Sequence, residues 1–238
     1  MDIALYSLRK WVKLACTGNP TVLGCLFAPN VLEDKTQWKK VVDQKGLFLA
    51  KSAATAFHGF ADQQLKRVMG EKGKGKHGQR PELEQKFGYD TKAAMHVLRL
   101  LGEGTQLMMG GKITYPRPNK ELLIATRSGK YDLPFIKDMA DILFTDLDRA
   151  RNESCLPDEP DRAGASQFLT DFYLNYWKQE DAQMNRILAR GLNLACRWIA
   201  GHLTAEERAD GHPQWEAWRD QNVVKIAMID LAIRAEDK

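Results

Sequence analysis

Lys92, His96 and Arg99 follow one another at intervals of four and three residues, the spacing that stacks side chains on one face of an α-helix. Three basic groups on one stripe, with no acid until Glu103, form a charge pattern able to hold a phosphate. The same pattern also suits a solvated helix face. Ala94, Val97, Leu98, Leu101, Thr105 and Met108 gather on the opposite side. Gly88 breaks what precedes, and the Asp90 side chain can accept from free N–H groups of a first turn. The spacing therefore predicts an amphipathic helix beginning just after Asp90.

A second basic stretch precedes it. Gly70-Glu71-Lys72-Gly73-Lys74-Gly75-Lys76-His77-Gly78-Gln79-Arg80 has no apolar residue to bury, which predicts a mobile loop. Lys72, Lys74, Lys76 and Arg80 are its candidate contacts to a nucleic-acid backbone, giving salt-sensitive affinity without base readout. A flexible solvated connector fits the same composition. No GxSxG, HExxH, GxGxxG or EF-hand loop occurs, and Gly110-Gly111-Lys112 lacks P-loop spacing. Asp146 and Asp148 diverge by 200° on a helix, so they do not pair on a metal. His202, Glu206 and His212 are too scattered to argue for zinc.

The elements that must position these residues read as helices. Leu8, Trp11, Val12, Leu14 and Ala15 keep helical spacing from Ser7 to Cys16, where Thr17-Gly18-Asn19-Pro20 stops them. A short helix is expected within 21–29. One helical pattern runs from Gln37 to Gly70, with Phe57, Phe60, Ala61, Leu65 and Val68 on its core stripe and Lys51, His58 and Lys66 opposite. Further helices are expected over 119–127 and 133–152, the latter burying Phe135, Met139, Ile142, Leu143 and Leu147. Residues 2–6 alternate as a short strand would. The acidic, proline-punctuated stretch Leu156–Asp161 reads as a linker. Beyond it lie helical patterns over 167–178, over 183–202 and from about 213, with Trp177, Trp198, Trp215 and Trp218 expected inside.

Composition narrows the class. Hydrophobic residues at 44% and charged residues at 28% are ordinary for a soluble globular chain of 238 residues. No apolar run approaches the roughly 18 residues of a membrane span, and the N-terminus lacks signal-peptide character, so a cytoplasmic location without a membrane partner is expected. Cys16, Cys25, Cys155 and Cys196 have no CxxC spacing and read as reduced, mostly buried thiols. The net charge of +4 does not by itself demand nucleic acid.

Several motifs stand in a definite order: Asp2…Leu5-Tyr6-Ser7-Leu8-Arg9-Lys10, Gly18-Asn19-Pro20-Thr21-Val22-Leu23, Leu26-Phe27-Ala28-Pro29, Phe48-Leu49-Ala50-Lys51, Gly59-Phe60-Ala61 and Gly88-Tyr89-Asp90-Thr91-Lys92-Ala93-Ala94-Met95-His96. In this order the chain resembles a family of predicted nucleotidyltransferases of the DNA polymerase beta superfamily linked to RNA repair, over residues 1 to 161. The resemblance implies a mainly α chain with a short N-terminal β remnant. Residues 1–30 would be a remnant of the nucleotidyltransferase palm, 31–161 the associated helical domain, and 162–238 a helical C-terminal extension.

It also implies transfer of a nucleoside monophosphate from a nucleoside triphosphate to an acceptor such as RNA, with Mg2+ held by carboxylates. Asp2 matches the family's third carboxylate, both catalytic and metal-binding, while Lys51, Lys92, His96 and Arg99 become candidate nucleotide or phosphate contacts. The family's Gly-Ser turn and DxD strand have no counterpart here, and Gly24 replaces a usual Glu. Catalysis would then need a partner, such as an upstream chain carrying the DxD strand; a mis-assigned start is another source. The alternative is a non-catalytic RNA- or protein-binding helical module.

Overall fold

A computed structural model of the chain describes residues 5–29, 35–70, 80–178 and 186. The chain divides into two compact units, Met1–Leu169 and Thr170–Lys238. Within the first, α1 (Leu8–Ala15), α2 (Pro20–Cys25) and α3 (Lys35–Asp43) lead to a 3-10 turn at Lys45–Leu47. Then follow α4 (Ser52–Val68), α5 (Pro81–Phe87), α6 (Thr91–Gly110), α7 (Lys120–Arg127) and α8 (Leu133–Glu153). Residues 162–169 are helical too, as are residues 170–178 of the second unit.

The chain is mainly helical, and the described residues contain no strand. The expected β remnant is not seen: Leu5 and Tyr6 have no ladder partner, Leu5 is 90% exposed, and Asp2 lies outside the described residues. A strand is held by backbone bonds to a neighbour, and nothing described offers them.

Helix α6 is the centre of the first unit. Asp90 caps it, its Oδ1 accepting from the N–H groups of Lys92 and Ala93 at 3.0 Å. Ala93, Ala94, Val97, Leu98, Leu101 and Leu107 are fully enclosed. Burying each Leu or Val contributes roughly 1.5–3 kcal/mol. Gly104 sets how closely the neighbours approach, because a Cβ there would stand 3.0 Å from both Leu147 Cδ1 on α8 and Phe57 Cβ on α4. Leu98, Leu123, Ile136, Tyr89 and Val68 extend this core across α7 and α8. Near the N-terminus Trp11 meets Trp38 and Phe48 edge-on at 5.3 and 5.5 Å, joining α1 to α3 and the segment after the 3-10 turn.

Four expectations need correction. The single pattern from 37 to 70 is broken between Asp43 and Ser52, because Phe48, Leu49 and Ala50 are all buried and three consecutive residues cannot share one helix face. Phe60 is 41% exposed and Ile142 56%; Ala53, Ala54, Ile136 and Ala140 occupy the inner faces instead. Trp177 is 55% exposed, while Trp198, Trp215 and Trp218 lie outside the described residues. Of the thiols Cys16 is buried, Cys25 and Cys155 are exposed, and Cys196 is not described. Desolvation raises the Cys16 and Cys25 thiols above their ordinary value, so neither is an activated nucleophile.

The stretch read as a linker is tied to the first unit. Pro157 and Asp158 carbonyls accept from the N–H groups of Lys51 and Ser52 at 2.8 and 3.0 Å, satisfying donors that α4 leaves free at its start. Ser154 Oγ donates to the Met108 carbonyl at 2.7 Å, fastening the end of α8 to the end of α6.

Candidate functional site

The basic stripe lies on α6, and it is not a fully solvated face. Lys92, His96 and Arg99 are half-buried, and Glu103, one turn further, is 1% exposed. Arg99 Nη1 donates to Glu103 Oε2 at 2.8 Å, and Arg99 Nη2 lies 3.4 Å from His96 Nδ1. At the head of the helix Arg80 Nη1 reaches Asp90 Oδ2 at 2.9 Å. Four elements thus meet here: Arg80 just before α5, the cap at Asp90, the stripe of α6, and the strap 113–118 that follows it.

His96 is not the cation its type suggested. Desolvation, then the neighbouring charges of Arg99, Lys92 and Arg80, lower its pKa to about 4, against a smaller opposing pull from Asp90. At neutral pH it is an uncharged imidazole, able to donate and accept one hydrogen bond each. Lys92 has no ion-pair partner among the described residues and carries the stripe's uncompensated charge. Arg99 keeps further guanidinium donors beyond its bond to Glu103.

The strap brings further polar residues to the Glu103 end of the stripe. Arg117 Nη1 donates to Gln106 Oε1 at 2.7 Å, and Gln106 in turn accepts from the Thr114 N–H at 2.9 Å. Tyr115 is half-buried, and burial, then the Glu103 carboxylate, push its hydroxyl above the ordinary value. Burial likewise lowers Arg117, opposed by Glu103 and Tyr115. Glu103 is therefore the shared anion of Arg99 and Arg117. A Cβ on Gly24 would meet the Tyr115 hydroxyl at 3.0 Å, so the strap closes against the bare backbone of Gly24. An arginine between two prolines, with a tyrosine just before them, was the available signal for this strap.

Beside it α6, the strap with Asn119, and α8 line an open groove of about 390 Å³, bounded by Gly102, Thr105, Gln106, Met109, Arg117 and Asn119, with Pro118 and Leu143. Glu103 Oε1, Thr105 Oγ1, Arg117 Nε and Asn119 Oδ1 are buried without a hydrogen-bond partner. Such orphaned groups are costly, so several in one place mark a site rather than a core.

The remaining candidates fall elsewhere. Lys51 Nζ pairs with Asp158 at 3.0 Å, and no bond links it to the α6 stripe. Arg80 joins the head of α6, whereas Lys72, Lys74 and Lys76 lie outside the described residues, as does Asp2. Among the described residues no three His, Cys, Asp or Glu side chains converge as a metal site, and no helix is long and apolar enough to cross a membrane.

No curated protein and no solved structure matches the chain significantly. A family model does match: RlaP, the RNA repair pathway DNA polymerase beta family, over residues 1–169, which coincide with the first compact unit. The chain belongs to the RNA repair pathway DNA polymerase beta family.

Proposed function

We propose that the chain takes part in nucleotidyl transfer during RNA repair, moving a nucleoside monophosphate from a nucleoside triphosphate to an RNA acceptor. The observation that carries this reading is the half-buried face of α6, where Lys92, neutral His96 and Arg99 are held ready by Asp90 and Glu103. Lys92 supplies charge for a phosphate chain, Arg99 supplies a fork of donors fixed by Glu103, and His96 adds a neutral donor. Lys51, Lys72, Lys74, Lys76 and Arg80 would extend the contacts along a polyphosphate or RNA backbone.

Magnesium in this superfamily would activate the attacking hydroxyl and stabilise the leaving pyrophosphate. The described residues do not fit a magnesium site. Asp2 is the proposed carboxylate of this chain, and the others would come from outside the described residues, such as a partner chain bearing the DxD strand. The test is labelled nucleoside triphosphate with magnesium and RNA, with and without the adjacent upstream gene product. Label entering RNA supports the reading; no transfer in either mixture overturns catalysis. A second reading, favoured by the lack of a carboxylate cluster among the described residues, is a non-catalytic RNA-binding module. It predicts salt-dependent RNA binding that weakens when Lys72, Lys74 and Lys76 are neutralised, with no incorporation.

A further inference from the structure

The groove beside the strap is not used by the phosphate contacts, and its polar groups have a readable pattern. Gly102 forms an open floor on α6. The position its Cβ would occupy lies 3.5 Å from both Arg117 Nη2 and Asn119 Nδ2, so two donors converge on one point that this chain leaves empty of side chain. Next to them Asn119 Oδ1 is a buried acceptor without a partner, and Thr105 Oγ1 is a further unpartnered group. Arg117 is kept in place by its bond to Gln106. Met109, Pro118 and Leu143 supply apolar walls around these groups.

Two converging donors ask for a carbonyl oxygen, and the amide of Asn119 asks for an acceptor and a donor side by side. A flat ring with a C=O next to a ring N–H answers both, and apolar walls suit its faces. We propose that this groove binds the lactam edge of a nucleobase, which uracil and guanine possess and adenine and cytosine lack. The carbonyl sits above Gly102, accepting from Arg117 and Asn119, while the ring N–H donates to Asn119 Oδ1. The volume of about 390 Å³ falls within the range of small-ligand sites. This inference rests on the nucleotide-transfer reading for its ligand class, but the base site is separate from the phosphate face.

Saturation-transfer NMR of the full chain with uridine, guanosine, cytidine and adenosine tests it, with inorganic tripolyphosphate as the phosphate probe. Uridine and guanosine are expected to bind at least fivefold more tightly than cytidine and adenosine. Gly102→Ala places a methyl at the convergence point, in ordinary contact distance and with better helix propensity, so it should fold at least as well yet lose uridine binding tenfold. Asn119→Ala loses no capping bond of α7 and should abolish the preference among bases. Met109 is 74% exposed, so Met109→Trp should fill the groove without disturbing the core. All three should leave tripolyphosphate binding unchanged.

Equal binding of the four nucleosides, or none, overturns the base site even where tripolyphosphate still binds. Unaltered uridine binding by Gly102→Ala overturns it as well. Loss of tripolyphosphate binding alone counts against the phosphate face and leaves the base site standing. The source of the base is read from Asn119→Ala: weaker binding of uridine triphosphate marks the incoming nucleotide, and weaker binding of a uridine-ended oligonucleotide marks the acceptor. Weakening of neither contradicts the proposal.

Discussion

Glu103 meets Arg99 at 2.8 Å while only 1% exposed, and one of its two carboxylate oxygens has no hydrogen-bond partner. A buried anion of this kind holds a partly exposed arginine in one place, which gives the stripe of α6 its geometry.

The pair predicts an asymmetry. Arg99→Met removes the hydrogen-bonded partner of a buried carboxylate and leaves it only the more distant charge of Arg117, so its cost should approach the roughly 3–5 kcal/mol of breaking a buried pair. Glu103→Gln leaves a half-exposed arginine that water can reach, so its cost should be clearly smaller. Urea unfolding of the two variants measures this; equal losses would show that Glu103 does not depend on Arg99.

His96 ties stability to acidity. Its folded value near 4 lies below the ordinary 6.5, so the neutral form is favoured by folding. Above pH 6.5 its contribution is fully present. As pH falls from 6.5 towards 4 the unfolded chain takes up a proton that the folded chain refuses, and stability drops. The difference in urea midpoint between pH 7 and pH 5 should be larger for the native chain than for His96→Gln. An imidazole resonance titrating near 6.5 would contradict the burial.

One substitution should have opposite signs at two glycines. Gly18 has φ +72°, and its Cβ would lie 2.7 Å from Ala53 Cα, so Gly18→Ala should destabilise by roughly 1–3 kcal/mol. Gly59 sits within α4 with open space around it, and Gly59→Ala should stabilise by about 0.5–1 kcal/mol. Thermal unfolding of both decides it.

The 157–158 carbonyls capping α4 predict where the chain can be cut. A fragment ending at 169 should melt cooperatively, whereas one ending at 155 should lose the caps of Lys51 and Ser52 and melt at lower temperature. Circular dichroism of both fragments checks this, and equal melting temperatures would count against the capping role.

Much of this was legible in the residues. Asp90 and the Thr17-Gly18-Asn19-Pro20 stop marked helix ends by local chemistry, and α6 begins and α1 ends there because those effects need only neighbours in sequence. The face of α6 bearing Lys92, His96 and Arg99 followed from periodicity. Its burial did not, because groups from outside the helix such as Arg80 lie at its head, and a pattern along one helix carries no record of what packs against it. The break at Phe48-Leu49-Ala50 was hidden for a related reason: a short apolar run suits a helix interior until tertiary contacts pull all three residues inward. The 156–161 stretch had the composition of a linker, and only its backbone bonds to α4 reveal an anchor. The groove at Gly102 required α6, the segment 112–119 and α8 to meet, which no spacing in one segment displays.

The Lys92 face of α6 is proposed to take a phosphate chain. Titration of a labelled nucleoside triphosphate across a series of salt concentrations, for the native chain and Lys92→Gln, tests it most directly. Affinity should fall with salt, and the Lys92→Gln variant should bind about tenfold more weakly with a shallower slope, by about one charge. Identical affinities and slopes for the two proteins would contradict it.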